Sequence, residues 1–356
     1  MKIKIGNSII SNNSKPYYIA DIGANHDGDL NRAFKLIELA KESGAHAAKF
    51  QNFQASKIVS KYGFDNMNQK LSHQSKWKKS VYEIYEDASV SFDWTSKLKE
   101  KCDEFEIDYF TSPYDFESID HVDPYVDVYK IGSGDITWIE IIEYIAKKNK
   151  PVLIATGASD FNDVKRAYKS LIKFNKQIVL MQCNTNYTGS YDNFNYINLN
   201  VLNTFKNEFP HAILGLSDHT HGHSTVLGAI ALGARVFEKH FTDDNNREGP
   251  DHKFAMNPKS WSEMVERGEE LFLSMGNGKK IVEMNELESI SVQRRSIRAA
   301  CNLNVGDIIS KDKLTFLRPI TKDGLEPHRF NEIIGKKVIK SIPEGDSVKL
   351  EMLSND

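Results

Sequence analysis

The sequence predicts an α/β protein: a (β/α)8 barrel followed by a small β-rich domain. Three observations carry that reading. Short apolar runs alternate with amphipathic segments eight times within roughly the first 275 residues. The runs are almost continuously apolar, as expected of parallel strands covered on both faces. After Gly278 the composition changes to short runs separated by turn residues. An open doubly wound sheet is the competing architecture, but no G-x-G-x-x-G follows the first run.

The elements follow in order. "YYIADIG" (17–23) reads as the first strand. "DLNRAFKLIELAKESG" carries apolar residues at helical spacing, and Gly44 ends it. "AAKFQNF" (47–53) is the second strand, and a polar insertion covers residues 54–89. "SFDWTSKLKEKCDEF" then reads as a helix opened by a Ser91 cap. Six further strands are "DYFTSPY", "DVYKIGSG", "PVLIATG", "QIVLMQCN", "AILGLSD" and "RVFEKHF". Helical segments separate them, among them "WIEIIEYIAKKN" and "INLNVLNTFKNEF", and "NPKSWSEMVERGEELFLSM" follows the last strand. This gives a barrel domain at 1–278 and a charged linker at 279–295. A third segment, 296–356, has five strand-like runs: "SIRAACNL", "NVGDII", "LTFLRP", "KKVIKSI" and "SVKLEML". At about 60 residues that last domain is near the lower limit for independent stability, so it is expected to lean on a neighbour.

Composition narrows the function. The chain has 356 residues, 40% hydrophobic and 27% charged, with a net charge of −3. No basic block marks a nucleic-acid footprint. No apolar stretch is long enough to span a bilayer, and the N-terminus lacks the apolar core of a signal peptide. The three cysteines, Cys102, Cys183 and Cys301, form neither a zinc pattern nor a disulfide framework, which suits a reducing cytoplasm.

The polar residues collect where the strands end. Asp21, Lys49, Gln51, Thr111, Lys130, Ser133, Asp135, Thr185, Tyr187, Ser217, His219, Glu238 and His240 all stand at or just beyond a strand terminus, and Asp251 follows in "REGPDH". In a (β/α)8 barrel those termini form the active-site face. A lone histidine after a strand is ordinarily a loop or capping residue. His219 and His240 end adjacent strands, which lie about 5 Å apart, so both imidazoles can reach one cation. Two nitrogen ligands with room for oxygens suit Mn²⁺, with Mg²⁺ or Co²⁺ as alternatives. His221, His223 and His252 are expected in loops. Lys49 and Lys130 lie inside apolar runs, so each needs an anionic partner, a carboxylate or a substrate phosphate. Gln51 and Tyr187 can equally be ordinary polar barrel residues.

Taken in order, "IADIGANHDGD", "AAKFQ", "YKIGSGD", "LGLSDHT", "EKHFTDD" and "GPDH" resemble the sialic acid synthase family. "RRSIRAACNLNVGDIISKDKLTFLRP" is similar to that family's antifreeze-like (SAF) domain. The resemblance covers nearly the whole chain. It implies condensation of phosphoenolpyruvate with N-acetylmannosamine or a related N-acetylated amino sugar, giving a nonulosonic acid and phosphate. A legionaminate-type reaction on a 2,4-diacetamido-6-deoxy sugar is the alternative; another 3-deoxy-sugar-acid synthase, or a non-catalytic sugar-binding protein, is more remote. By position it implies His219 and His240 as metal ligands, and Lys49, Thr111, Lys130, Ser133 and Ser217 as the phosphoenolpyruvate site. Gln51, Tyr187, Asp251, Thr185 and Glu238 complete the substrate-facing set. Asp21 or Asp135 would handle the proton of the attacking water. Arg318, in "FLRP", would reach the sugar of the other subunit in a domain-swapped homodimer. The chain departs from the family at Asp21, where glutamate is usual.

Overall fold

The computed structural model describes residues 1–67, 77 and 79–354. They form two units, Met1–Gly276 and Asn277–Asp356. The first begins with a hairpin absent from the sequence reading, β1 (Lys2–Ile5) and β2 (Ser8–Ser11). Its alternation buries Ile3, Ile5 and Ile10 in the main core. Gly6 turns the hairpin with positive φ, and a side chain there would collide with Asp108, the first residue of a barrel strand. The hairpin therefore lies under the N-terminal end of the barrel.

Eight parallel strands form that barrel: β3 (Tyr17–Asp21), β4 (Ala47–Asn52), β5 (Asp108–Pro113), β6 (Tyr129–Ile131), β7 (Val152–Ala155), β8 (Ile178–Cys183), β9 (Ala212–Asp218) and β10 (Val236–His240). They pair in sequence order, and β10 closes on β3. The (β/α)8 architecture expected from the alternation is the one observed.

The flanking helices follow their caps. Asp29 accepts from the backbone N–H groups that open α1 (Leu30–Glu42). The insertion contributes α2 (Ala55–Ile58), α3 (Lys61–Asp65) and α4 (Val81–Ala88), the last opened by a Ser80–Glu83 capping box. The next helix corrects the sequence reading. α5 is Trp94–Glu104, and its N-cap is Asp93, not Ser91; Ser91 sits in the preceding turn. Then come α6 (Phe116–Val122), α7 (Ile139–Lys147), α8 (Phe161–Phe174), α9 (Val201–Glu208), α10 (Ser224–Ala231) and α11 (Pro258–Ser274). α9 starts four residues later than the apolar pattern suggests, because Asn198 takes positive φ and interrupts a helical path ahead of Val201.

Inside the barrel, alternate residues of each strand point to the axis. Ile19, Phe110, Leu153, Met181 and Val236 are all buried and fill the lower part. A side chain at Gly215 would overlap Met181 and the Val236 carbonyl, so this position stays glycine to admit Met181. Two residues further along, Asp21, Ser112 and Glu238 bring polar groups to the axis, whereas β7 and β8 present Ala155 and Cys183.

The second unit holds α12 (Leu287–Gln293) and one antiparallel pair, β11 (Ser296–Ala299) and β12 (Leu314–Leu317). The five expected strands are reduced to these two among the described residues. The remaining runs meet only as isolated bridges, such as Leu303 with Ile342 and Val338 with Leu353. Turn residues recur too often there for a ladder to extend. The unit has its own core around Ile297, Leu303, Ile333, Val338, Ile342 and Val348. No helix among the described residues is long and apolar enough to cross a membrane.

Candidate active site

The C-terminal ends of the strands surround a cavity of about 390 Å³. At its floor four charges alternate. Lys49 Nζ lies 2.7 Å from Asp21 Oδ2 and 3.6 Å from Glu238 Oε1, and Lys130 Nζ donates to the same Glu238 oxygen at 2.7 Å. All four side chains are buried, so each charge depends on the others for compensation. Burial pushes the Asp21 carboxyl up, but Lys49, then His240 and Lys130, outweigh it and hold the group below its ordinary value. Burial likewise pulls the Lys49 ammonium down, and Asp21 and Glu238 more than reverse it. Gln51 donates to Asp21 Oδ2 at 3.2 Å.

The two histidines lie higher on the wall, with ring centroids 5.5 Å apart. His219 Nδ1–H donates to the Asn184 carbonyl at 2.9 Å, which leaves Nε2 with a free lone pair. His240 sits between two carboxylates, 3.7 Å from Asp21 Oδ2 and 3.7 Å from Asp251 Oδ2. Its Nδ1 is buried without a hydrogen-bond partner, as are Asp21 Oδ1 and Glu238 Oε2. Tyr187 packs edge-on against His219 at 4.4 Å. Burial raises the Tyr187 phenol well above its ordinary value, so it stays a hydrogen-bond donor at neutral pH. On the facing wall, burial lifts the Asp135 carboxyl to about 6.

Most of the sequence-derived candidates meet here. Asp21, Lys49, Gln51, Lys130, Ser133, Asp135, Tyr187, Ser217, His219, Glu238, His240 and Asp251 all line the cavity. Three do not. Thr111 points away from the axis, fully buried, and donates to Asn52 Oδ1 at 2.7 Å; Ser112 takes the inward position. Strand alternation explains this: Phe110, Ser112 and Tyr114 share one face, and Thr111 is on the other. Thr185 lines a neighbouring cavity of about 660 Å³ beside α8 and α9. That space is larger, but Asp160 is its only charged lining residue among the described residues, so it lacks the lysines and histidines gathered at the strand ends. Arg318 is exposed in the second unit, just past β12.

The sequence reading missed part of the wall. Ser112 and Tyr114 come from β5 and the turn after it, and Phe53, Ile58, Trp77, Ile84 and Tyr85 from β4's end and the insertion. Ser112 and Tyr114 had a signal, their parity with Phe110; the others had none. His252, expected as a plain loop residue, is fully buried. Its ring bonds Asp27 Oδ1 at 2.9 Å and Thr242 Oγ1 at 2.7 Å. It ties the β3–α1 loop to the loop that carries Asp251.

The two facing imidazoles raise the question of a divalent cation. Among the described residues no group of three or more histidine, cysteine or acidic side chains closes around one point. The donor set nevertheless fits an open site. Two imidazoles face each other, one with its tautomer fixed, beside orphaned carboxylate oxygens. Two lysines stand against four carboxylates (Asp21, Asp135, Glu238, Asp251) on the cavity wall, leaving negative charge for a cation to offset.

Comparison with known proteins agrees with this geometry. The NeuB family model matches residues 36–280, and the SAF domain model matches residues 294–354. The N,N'-diacetyllegionaminic acid synthase of Campylobacter jejuni is 33% identical over 354 residues, covering 94% of this chain and 99% of that one. The Legionella pneumophila enzyme of the same name is 33% identical over 341 residues, 94% of each chain. The crystal structure of N-acetylneuraminic acid (sialic acid) synthetase from Leptospira borgpetersenii superposes with a TM-score of 0.72 at 26% identity. It covers 82% of this chain and 95% of that one. With a barrel of this form, a SAF domain behind it and relatives aligned along almost its whole length, the chain belongs to the NeuB family and is an enzyme of the sialic acid synthase type.

Proposed function

We propose that the enzyme joins phosphoenolpyruvate to the open-chain form of an N-acetylated amino sugar, giving a nonulosonic acid and phosphate. The observation that carries this is the pairing of two buried ammonium groups with two facing imidazoles over one small cavity. Lys49 and Lys130 suit the phosphate and carboxylate of phosphoenolpyruvate, because each can turn from its carboxylate to a substrate anion. Ser112, Ser133 and Ser217 offer hydroxyl donors around them. Gln51, Tyr187 and Asp251 suit the sugar. A divalent cation, Mn²⁺ first, with Mg²⁺ or Co²⁺ as alternatives, held by His219 and His240 would supply Lewis-acid polarisation of the sugar aldehyde.

In the reaction, C3 of phosphoenolpyruvate forms a bond to the aldehyde carbon as the aldehyde oxygen takes up a proton, and water, giving up a proton, adds at C2. The tetrahedral centre then releases phosphate by breaking the C2–O bond. Asp135 is the better candidate to take the water's proton. Its carboxyl, lifted to about 6, is ionised at neutral pH yet basic enough to accept, whereas Lys49 holds Asp21 down as a poor base.

Two named legionaminic acid synthases at 33% identity favour a 2,4-diacetamido-6-deoxy sugar over N-acetylmannosamine. The apolar wall of Phe53, Ile58 and Ile84 also suits a methyl at C6. A phosphorylated acceptor is disfavoured, because no arginine among the described residues lines the cavity. We further propose a homodimer in which Arg318 serves the partner's sugar site, and a cytoplasmic location that keeps Cys102, Cys183 and Cys301 as free thiols. The test is phosphate release from phosphoenolpyruvate with each sugar, in chelator-treated buffer with and without Mn²⁺. Release with the diacetamido sugar only supports the legionaminate reading; release with neither sugar refutes the reaction.

A further inference from the structure

The two cavity histidines are the last residue of one strand and the first beyond its neighbour. His240 ends β10, and His219 follows Asp218 at the end of β9. The residues just before them, Asp218 and Lys239, are register partners across the two strands. Because side chains alternate, the histidines face the cavity and this pair faces the helix layer. There it is almost wholly buried, with 1% and 2% of the side chains exposed.

One carboxylate oxygen organises the whole corner. Asp218 Oδ2 accepts from Lys239 Nζ in an ion pair, from Thr220 Oγ1 at 2.7 Å and from Thr225 Oγ1 at 2.8 Å. Lys239 Nζ also donates to the Thr220 carbonyl at 2.6 Å. These bonds tie β9, the turn after His219, the first turn of α10 and β10 together. The ion pair touches no part of the cavity. Burying it costs desolvation that a pair of apolar residues would avoid, so the pair is weak evidence for added stability.

We infer that the Asp218–Lys239 pair is a positioning clasp that sets the separation and orientation of His219 and His240 for a shared cation. Asp218, Lys239, Thr220 and Thr225 are positioning residues; none touches the reacting atoms. The inference rests on the proposed metal site. It predicts that cation affinity, and not the fold, is what the clasp maintains.

The test uses the full-length protein and Mn²⁺ itself, with free Mn²⁺ followed by electron paramagnetic resonance. The double variant Asp218→Asn/Lys239→Met removes both charges together and leaves no lone buried ion. It is expected to melt near the wild-type temperature and to bind Mn²⁺ roughly tenfold more weakly, the scale for groups that orient a metal ligand. Phosphoenolpyruvate binding, measured by calorimetry in chelator, should stay within about twofold, since the clasp does not face that site. Thr225→Val removes a single hydroxyl and serves if the double variant does not fold; a roughly threefold weaker Mn²⁺ affinity is expected there. Wild-type Mn²⁺ affinity in either folded variant overturns the clasp. So does an equal loss of Mn²⁺ and phosphoenolpyruvate binding, which would mean general loosening. If the unaltered protein binds no Mn²⁺, or His219→Ala binds it as well as the unaltered protein does, the metal reading itself falls and takes the clasp with it.

Discussion

Replacing Lys130 with methionine separates the role of its charge in binding from its role in the fold. The ammonium is 3% exposed and donates to Glu238 at 2.7 Å. Removing one partner of a buried ion pair costs about 3–5 kcal/mol, because the other charge is left uncompensated. Glu238 is not fully abandoned here: Lys49 stands 3.6 Å from the same oxygen. The cost should therefore fall at the lower end, about 3 kcal/mol, which lowers the melting temperature by roughly 6–12 °C in a unit of this size. Binding should suffer separately. A charge-assisted contact in a dry site is worth about 2–4 kcal/mol, so the Kd for phosphoenolpyruvate should rise roughly 30- to 1000-fold. Thermal melts and calorimetric titration read the two effects independently. The double variant Lys130→Met/Glu238→Gln discharges the stranded carboxylate, so it should regain most of the melting temperature and none of the affinity. A folded Lys130→Met protein that bound phosphoenolpyruvate within threefold of wild type would place Lys130 outside the anion site and refute the reasoning.

Asp135, with its carboxyl lifted to about 6, is expected to set the acid limb of kcat/KM: activity should drop about tenfold per pH unit below that value, and Asp135→Asn should be slow with the limb flattened. An unchanged acid limb in that variant would remove Asp135 as the base. Ser112→Ala should raise the KM for phosphoenolpyruvate several-fold, whereas Thr111→Val should leave it unchanged and only lower stability by about 1 kcal/mol through the lost bond to Asn52; the reverse ranking would overturn the assignment of Ser112 to the cavity wall. For Arg318, equal amounts of an Arg318→Ala protein and a His240→Ala protein are refolded together. Sites shared across subunits should then restore roughly a quarter of wild-type activity, because about half the dimers are mixed and each has one intact site. No recovery with mixed dimers present would show that Arg318 does not serve a partner.

The barrel was legible because eight buried strands each leave the same trace, a short apolar run with a helix behind it. The polar strand ends were legible for the same reason, since a charge inside such a run has few structural uses. What escaped the sequence depended on side-chain direction or on partners remote in the chain. Thr111 and Ser112 are adjacent hydroxyls, and only the phase of the strand tells which one faces inward. Thr185 lies after its strand has ended, where alternation no longer predicts direction. Phe53, Ile58 and Tyr85 look like unremarkable apolar residues of an insertion, yet they complete the cavity wall. The β1–β2 hairpin was hidden because two four-residue strands carry too few residues for a period to show. Ser91 looked like a cap because the helix could equally begin two residues earlier or later.

Among the described residues, the hairpin and an apolar layer close the barrel below the lysines, and the cavity lies at the C-terminal ends of the strands. Below the lysines the axis is solid with Ile19, Phe110, Leu153, Met181 and Val236, and the hairpin lies under them. If the anion and the sugar bind as proposed, traffic in such a well would be last in, first out. A molecule resting against the ammonium groups would lie below the imidazoles and would leave past them. Its dwell time would then depend on the occupant above as much as on its own contacts, so even a loosely held anion at the bottom would be detained while a sugar filled the space above it.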